Sequence, residues 1–450
     1  MKDLERIAEW TAAAVTKLGA SACDVLVVDA RSISADIEKG SVKQANTMFD
    51  AGVAVRAFDR GCSGFAYCTG HDEKDIARTG AMAYSQACAG TPDPHFKGLL
   101  EASPPTPVGG LFDQGTFDMQ PEEVVELLIQ LAESAAGDDR VVSVNASTSV
   151  ASGEFALANS NGFVHSQKMT SYDMMAEAVA RSGEIMFSGI EFDAGRRFRR
   201  DAIDAVGGHA KEQAIQGLAQ SKISAGDYPI IMDAMSIGYI LGAAVGGGLN
   251  AENTQRNRSY LSGRLGERIG SELLSVRDDP TLEWAQGSYS FDGEGCPAKS
   301  KVLIDSGRVK SYLYDSYTAG KDSMQSTSNA SRGGAIWSFR HPPEISPSNL
   351  VVKEGDSSLE EMIRETNKGV YLRLTFDRPN LATGEFSGLM MESYLIDGGE
   401  VGPSIRQATL GISLMDMFSR IDMVGRESRD AFGVITPPVR ISSARVAGSG

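Results

Sequence analysis

The sequence predicts an α+β fold, because segments of helical and of strand periodicity follow one another along the chain. Apolar residues recur at helical spacing from Leu4 to Leu18, whereas residues 23–69 alternate with a period of two. At 450 residues the chain is longer than one hydrophobic core usually organises. We therefore expect two or three domains.

The amino-terminal part predicts a module of helices and antiparallel strands. We expect a first helix over residues 4–18, strands at 23–29, 32–37, 42–47, 51–59 and 63–69, and a helix from Asp72 to about Ala87. The pairs Lys39-Gly40 and Arg60-Gly61 are typical of turns between strands. A connection rich in proline and glycine then closes an amino-terminal domain over residues 1–110.

Residues 111–220 predict a middle α/β module. Pro121 and the acidic residues after it are typical of a helix start, and this helix is expected to reach about Ala136. Strands are expected at 141–148, 154–158, 162–170, 174–181 and 185–192, with Asn161-Gly162 as a hairpin turn. A helix over residues 201–219 leads into a carboxy-terminal domain over residues 221–450.

The composition excludes several functional classes. The formal net charge is −16 at pH 7, which disfavours a nucleic-acid partner. The amino terminus lacks the pattern of a signal peptide, and Asp233 and several glycines interrupt the most apolar stretch, residues 230–249, so no membrane span is predicted. Five cysteines without a CxxC spacing indicate reduced thiols. We expect a cytoplasmic protein.

The most informative segment reads Leu-Gly-Ala-Ala-Val-Gly-Gly-Gly-Leu, from Leu241 to Leu249. A helix would be expected here, yet each glycine inside a helix costs about 1 kcal/mol relative to alanine. Three glycines stand together at Gly246, Gly247 and Gly248. Something other than helix stability must account for them.

From Ile240 to Met423 the chain resembles the carboxy-terminal domain of the TldD/PmbA family, once named modulators of DNA gyrase. The resemblance implies a large, mostly-β carboxy-terminal domain of the TldD/PmbA type, preceded by two smaller modules like those predicted above. The matching segments are 244–246, 248–249, Asn253, Arg256, 270–273, 278–279, 287–288, 292–297, 302–304, 392–399, 408–410 and 422–425.

In the TldD branch of this family, the corresponding segment carries a zinc-protease motif of the form HExxxH. The resemblance places Gly242 at the first His, Ala243 at the catalytic Glu and Gly247 at the second His. TldD members also have a Cys ligand shortly after the last matching motif, but residues 427–433 contain none, and residues 435–441 resemble the ending of the PmbA (TldE) branch. The resemblance therefore implies no catalytic residue, no bound cofactor and no metal in this chain.

The chemistry of zinc explains why these positions matter. A catalytic zinc needs about three ligands from His, Cys or carboxylates, an open position for water, and a base for that water's proton. Glycine and alanine side chains supply none of these. The five histidines are dispersed along the chain, so an active metal site would need unfamiliar ligands, for instance Glu252, His209 or His341.

Two other clusters suggest functions of their own. Arg196, Arg197, Arg199 and Arg200 form a basic cluster that could bind phosphate, an acidic peptide or RNA, although a solvated or salt-bridged surface is the expectation in so acidic a chain. Asp278, Asp279, Asp292 and Glu294 could bind a metal, but they lack the spacing of a calcium loop and are expected to form turns.

The resemblance implies a non-catalytic, TldE/PmbA-like subunit of a TldD/TldE-type zinc metallopeptidase that acts on unfolded or small peptides. A TldD-like partner would carry the zinc and form a heterodimer through the carboxy-terminal domains, with a homodimer as the alternative. On this hypothesis the glycines at 242 and 247 let the former site collapse against neighbouring backbone, leaving no aqueous metal pocket. Two alternatives stay open: a peptidase with non-family metal ligands, and a self-associating protein that binds peptides by strand addition.

Overall fold

The computed structural model describes residues 3–448 and combines helices and strands throughout. This confirms the predicted α+β class and the organisation in three domains. No helix in the described part of the chain is long and apolar enough to cross a membrane. The helices are α1 Leu4–Lys17, α2 Glu73–Ala89, α3 Gln114–Asp118, α4 Pro121–Ala135, α5 Ile203–Gln216, α6 Ala234–Leu241, α7 Ala251–Gln255, α8 Ser316–Asp322, α9 Leu359–Arg364 and α10 Leu414–Ser419.

The first two domains share one antiparallel sheet of six strands in the order β3-β2-β1-β4-β5-β6. β1 pairs with β2 along one edge and with β4 along the other, so the sheet crosses the predicted boundary near residue 110 without interruption. Its strands are β1 Ala22–Glu38, β2 Ser41–Asp59, β3 Cys62–Thr69, β4 Val141–Asn159, β5 Val164–Ser182 and β6 Ile185–Gly195.

Four of these strands are about twice as long as the sequence predicts. Residues 23–29 and 32–37 are one strand, as are 42–47 and 51–59, 141–148 and 154–158, and 162–170 and 174–181. The predicted breaks are wrong because the antiparallel ladder continues through them: Ala30 pairs with Asp50, and Arg31 pairs with Phe49. The polar residues there interrupt the apolar alternation without interrupting the backbone pairing.

The two faces of this sheet pack against different parts of the molecule. Odd-numbered residues of β1, such as Val25, Val27 and Ile33, face the helices α1, α2, α4 and α5. Even-numbered residues, such as Leu26 and Val28, join a second core with aromatic residues of the carboxy-terminal part of the chain. The sheet is therefore covered by helices on one side and by the carboxy-terminal domain on the other.

The carboxy-terminal domain is built from short strands in three further sheets. Nine strands form the largest sheet, six form a second with the order β11-β10-β9-β14-β22-β21, and β12 pairs with β13. The strands are β7 Gln220–Ser221, β8 Gly226–Met232, β9 Val276–Asp278, β10 Lys301–Asp305, β11 Arg308–Val309, β12 Ala330–Ser331, β13 Glu344–Ile345, β14 Leu350–Val352, β15 Lys368–Leu374, β16 Glu385–Leu389, β17 Glu392–Asp397, β18 Glu400–Ile405, β19 Ala408–Ser413, β20 Ile421–Val424, β21 Arg429–Ala431, β22 Val434–Thr436 and β23 Val439–Gly448.

Helix α6 lies in the centre of this domain. It contacts β8 and β15 of the nine-stranded sheet and β21 and β22 of the second six-stranded sheet. Ile237, Ile240 and Leu241 are buried in the main core between these elements. The glycine-rich segment that follows α6 is therefore held inside the domain, where its surroundings are fixed by packing.

Candidate functional site

The glycine-rich segment forms a π-helical turn over Gly242–Gly247 that continues α6 directly. Asp233 caps the start of α6 by accepting a hydrogen bond from the Met235 amide at 3.0 Å, and the Tyr371 hydroxyl donates to the same carboxylate at 2.7 Å. Single π turns inside helices are rare and occur frequently at functional sites. This irregularity coincides with the segment that resembles the zinc motif.

Side chains beyond the turn donate hydrogen bonds to the carbonyl groups in and just after it. The Tyr260 hydroxyl donates to the Ala244 carbonyl at 3.1 Å, and the Asn253 amide donates to the Gly247 carbonyl at 3.0 Å. Ser259 donates to the Gly248 carbonyl at 2.6 Å. Buried carbonyls without partners are costly, so these polar residues stabilise the turn.

Gly242 and Gly247 do not pack against neighbouring backbone, as the hypothesis of a collapsed site requires. A Cβ placed on Gly247 would lie 2.5 Å from Cδ1 of Leu381, and one on Gly242 would lie 3.4 Å from Cγ2 of Val434. The neighbours of these two positions are thus side chains and not backbone, because the segments that carry Leu381 and Val434 pack across the turn. The hypothesis of collapse against backbone is wrong for both glycines.

The collapse is also incomplete, because a cavity of about 430 Å³ remains along this turn. Gly242, Ala243 and Gly246 form part of its wall, opposite Pro347 and the hairpin tip at Phe432. Arg378 lines the same cavity; its Nε donates to the Tyr239 hydroxyl at 3.2 Å, and its guanidinium lies 5.6 Å from the centre of the Tyr239 ring. We call this space the glycine cavity.

A second cavity of about 360 Å³ adjoins the first and reaches Arg196, so we call it the arginine cavity. The two cavities share five wall residues, namely Ser346, Pro347, Ser348, Phe432 and Gly433. Trp337, Gln286 and Ser331 complete much of the remaining wall of the arginine cavity. Together the two spaces are of the size that proteins use for small ligands and short peptides.

The donor atoms at the glycine cavity do not fit a catalytic zinc ion. Gly242, Ala243 and Gly247 have no side-chain oxygen, nitrogen or sulfur. Within residues 3–448, no group of three or more His, Cys, Asp or Glu side chains is arranged to hold a metal ion.

The residues considered as unfamiliar metal ligands lie apart from one another in the fold. His209 is exposed on α5 in the middle domain, whereas Glu252 lies in the first turn of α7 in the carboxy-terminal domain and pairs with Arg256 at 2.8 Å. His341 is exposed on the segment before β13. None of the three lines the glycine cavity.

The four carboxylates expected to form turns are buried members of polar networks. Asp278 accepts hydrogen bonds from the Asn329 amide, the Ser348 amide and hydroxyl, and the Lys301 ammonium. Glu294 pairs with Arg56 at 2.9 Å, which joins the carboxy-terminal domain to β2. The turn interpretation is too narrow, because burial of these side chains requires compensating partners and the sequence does not show burial. The four residues are Asp278, Asp279, Asp292 and Glu294.

Burial also raises the pKa of Asp292, a member of these networks, and of Cys296 nearby. Desolvation and the neighbouring Glu294 raise the pKa of Asp292 to about 7. Desolvation and Asp292 raise the pKa of the Cys296 thiol to about 12. A thiol with so high a pKa is a poor nucleophile at neutral pH, and all five cysteines are free thiols.

The basic cluster divides into three surface residues and one buried residue. Arg199 pairs with Asp193, Arg200 pairs with Glu123, and Arg197 stacks over Trp284 with its guanidinium 3.8 Å from the ring centre. These three match the salt-bridged surface that the sequence predicts. Arg196 does not, because it is only 2% exposed and lines the arginine cavity. No periodicity in the sequence distinguishes it from its neighbours.

Comparison with protein families gives three matches that follow one another along the chain. Residues 23–87 match the PmbA/TldA metallopeptidase domain 1, residues 116–218 the central domain, and residues 225–448 the carboxy-terminal domain. All three matches are to parts of one family, in the order in which they occur here.

Relatives match over most of their length. A metalloprotease of Methanocaldococcus jannaschii is 27% identical over 414 residues, which cover 90% of this chain and 89% of the relative. A metalloprotease TldD homologue of Haemophilus influenzae is also 27% identical, covering 88% of this chain and 84% of the relative.

Solved structures share the whole fold. TldE from Thermococcus kodakarensis superimposes with a TM-score of 0.89 at 22% identity, covering 98% of this chain and 99% of that chain. A modulator of DNA gyrase from Thermotoga maritima gives a TM-score of 0.87 at 23% identity, covering 98% of this chain and all of that chain. With the three successive domain matches, these likenesses show that the chain belongs to the TldD/PmbA family.

Proposed function

We propose that this chain is a non-catalytic subunit of a TldD/TldE-type zinc metallopeptidase and that a TldD-like partner supplies the zinc. One observation carries the proposal: the wall of the glycine cavity consists of glycine and alanine where a zinc protease needs ligands and a base. The likeness to a TldE structure in fold, and to metalloproteases in sequence, supports the assignment.

The proposed role of the subunit is to complete the complex and to hold peptide substrate near the partner's zinc. The cavity along the π turn supports this role, since the chain keeps a ligand-sized space without keeping catalytic groups. The proposed domains are 1–110, 111–220 and 221–450, with the carboxy-terminal domain making the contact to the partner. The proposed location is the cytoplasm.

The first test is the metal content of the full-length chain, purified without chelator and without metal affinity resin. Elemental mass spectrometry is expected to find far less than one zinc per chain, because the donor atoms for a catalytic site are missing. The TldD-like chain from the same organism, purified identically, serves as the control. Stoichiometric zinc that survives dialysis would overturn the proposal.

The second test is peptidase activity before and after mixing. We expect this chain alone to leave an unfolded peptide substrate intact, and the equimolar mixture with the TldD-like chain to cleave it in a chelator-sensitive reaction. The TldD-like chain alone shows how much of the activity depends on the complex. Equal rates for this chain alone and for the mixture would contradict the proposal.

A second candidate function, peptide capture by strand addition without a protease partner, is favoured by an open edge of β2. β3 pairs only with residues 52–59 of β2. Among residues 3–448, residues 41–50 therefore have β1 on one side and no strand on the other. Met48 and Phe49 are exposed on this segment. If mixing with a TldD-like chain yielded neither a complex nor activity, this second function would replace the first.

A further inference from the structure

Arg196 is a buried cation without an anionic partner. Arg332 and Arg373, which are buried to a similar degree, each pair with carboxylates: Arg332 with Asp24 at 2.7 Å, and Arg373 with Glu191 at 2.6 Å. Within the described part of the chain, Arg196 forms no ion pair, and its side chain donates only to the carbonyls of Thr170 and Ser288, at 3.0 and 2.8 Å. Its charge is therefore uncompensated.

The guanidinium of Arg196 also has unused donors. A guanidinium has five N–H groups, and the two carbonyls occupy one each on Nη1 and Nη2, whereas Nε is buried with no hydrogen-bond partner. Burial of a charge without an opposite charge is strongly unfavourable. Desolvation accordingly lowers the pKa of Arg196 to about 9, which leaves the side chain cationic at neutral pH.

This cation belongs to the wall of the arginine cavity. The other polar side chains of that wall are neutral, and Gln286, Ser331 and Ser346 are three of them. Neutral hydroxyl and amide groups can complete the coordination of an anion, but they do not neutralise Arg196. An anionic group that entered the cavity would supply the charge that the protein lacks.

We propose that the arginine cavity binds a carboxylate of a peptide ligand, with Arg196 as the residue that pairs with it. The choice of a peptide rests on the proposed function, whereas the need for an anion rests on Arg196 alone. The shared wall at 346–348 and 432–433 lets the ligand's chain continue into the glycine cavity, where the aromatic ring of Tyr239 and the glycine backbone offer apolar contact. A free inorganic anion paired with Arg196 has no chain that could continue into the second space.

The proposal is tested by calorimetric titration of the full-length chain alone, without a TldD-like partner. The probes are a capped tetrapeptide with one glutamate among alanines, the same peptide with glutamine, uncapped tetra-alanine, and inorganic phosphate. We expect a peptide with a carboxylate, on the side chain or at the end of the chain, to bind at least tenfold more tightly than the capped glutamine peptide. We expect phosphate at the same concentration not to displace it.

Three variants locate the site. Arg196→Gln is expected to abolish the tenfold preference, and Ala335→Phe to weaken binding by obstructing the cavity wall at an exposed position that leaves Arg196 intact. Arg197→Gln is the matched control, because Arg197 belongs to the same cluster but stacks on Trp284 outside the cavity. If Arg196→Gln does not fold, weaker peptide binding by Ala335→Phe is the result that tests the site.

Three results would overturn the proposal: equal affinity for the glutamate, glutamine and uncapped peptides, displacement by phosphate at equal concentration, or an equal loss in Arg197→Gln and in the cavity variants. Because no partner is present, these results are independent of the mixing experiment. If the chain completes an active peptidase with its partner but does not distinguish the peptides, the proposed function stands and only the proposal of a carboxylate site is overturned.

Discussion

Gly238 and Gly242, which lie one helical turn apart, have different neighbours. A Cβ on Gly238 would lie 2.7 Å from the Cβ of Ala431 and 3.0 Å from its carbonyl oxygen, neither of which can rotate away. Gly242 has helical backbone angles, φ −53° and ψ −46°, and its nearest neighbour is a methyl group of Val434 at 3.4 Å. Only the first glycine is required by packing.

These surroundings predict opposite effects for the same substitution. Gly238→Ala should lower the free energy of unfolding by about 1–3 kcal/mol, because the added methyl group overpacks the contact with β21. Gly242→Ala should raise it by about 0.5–1 kcal/mol, because alanine favours the helical backbone and finds space. Urea unfolding of the two variants beside the wild type measures both changes. A loss of stability in Gly242→Ala would show that the cavity wall is more tightly packed than described.

At the residue scale, the sequence identified unusual positions but not their surroundings. The glycines at 242 and 247 stood out because no helix propensity explains them. The burial of Arg196 could not be predicted, since its three neighbours carry the same side chain and lie at the surface. Burial depends on which segments, distant in sequence, cover a residue, and local patterns do not contain this information.

At the scale of single elements, β2 has two parts that differ in their environment. Residues 52–59 lie between β1 and β3, whereas residues 41–50 pair with β1 alone among the strands that the structure describes. An unpaired strand edge presents free N–H and C=O groups and is a template for pairing with another chain. Residues 41–50 of β2 therefore form an open edge of the six-stranded sheet.

This difference predicts a break in hydrogen-exchange protection within one strand. In an antiparallel pair, alternate residues donate toward opposite sides, so about half of the amides of residues 42–49 should exchange rapidly in the isolated chain. The amides of residues 53–58 should be slow throughout, because both sides are paired. Residue-resolved exchange by NMR measures both sets. Uniform protection along β2 would mean that another chain already covers the open edge in solution.

In the first two domains, the positions of helices and turns were easier to predict from the sequence than the lengths of the strands. The helices α1, α2 and α4 and the turns at Lys39-Gly40 and Arg60-Gly61 lie where the sequence places them, and the two turn pairs have positive φ values. Long strands were divided where the apolar alternation is interrupted. In β1, for example, the partly exposed residues 29–32 lie between residues of two different hydrophobic cores and resemble a turn.

At the scale of the whole molecule, Asp24 holds together two domains. Asp24 lies in β1 and accepts hydrogen bonds from Arg56 in β2 and from Arg332 in the carboxy-terminal domain, both at 2.7 Å. Asp24 is 1% exposed. Removing one member of a buried ion pair leaves the other charge uncompensated, which commonly costs about 3–5 kcal/mol.

Asp24→Ala is therefore expected to lower the free energy of unfolding by about 3–5 kcal/mol. Asp50→Ala is the matched control: Asp50 also joins β2 to the carboxy-terminal domain, through Arg340, but this pair is partly exposed and should contribute only about 0–1 kcal/mol. Denaturant unfolding followed by circular dichroism measures both. Similar small losses in the two variants would show that the buried network does not stabilise the interface.

The architecture of the carboxy-terminal domain could be anticipated only through the family resemblance. Many of its strands have two to four residues, too few to show a period of two. Several pairings join distant segments, such as the parallel pairing of β8 with β15. Neither property leaves a local pattern, so the residues alone predicted most of the elements before residue 220 and no strand after it.

The unbroken sheet of the first two domains has a consequence for synthesis on the ribosome. β1, β2 and β3 are complete once residue 69 has emerged, but β4, which covers the second edge of β1, ends about 90 residues later. At about 5–20 residues per second, that edge stays open for about 5 to 20 s. Nascent chains on neighbouring ribosomes could pair through this edge during the interval, and a holding chaperone that covers the edge would prevent that pairing.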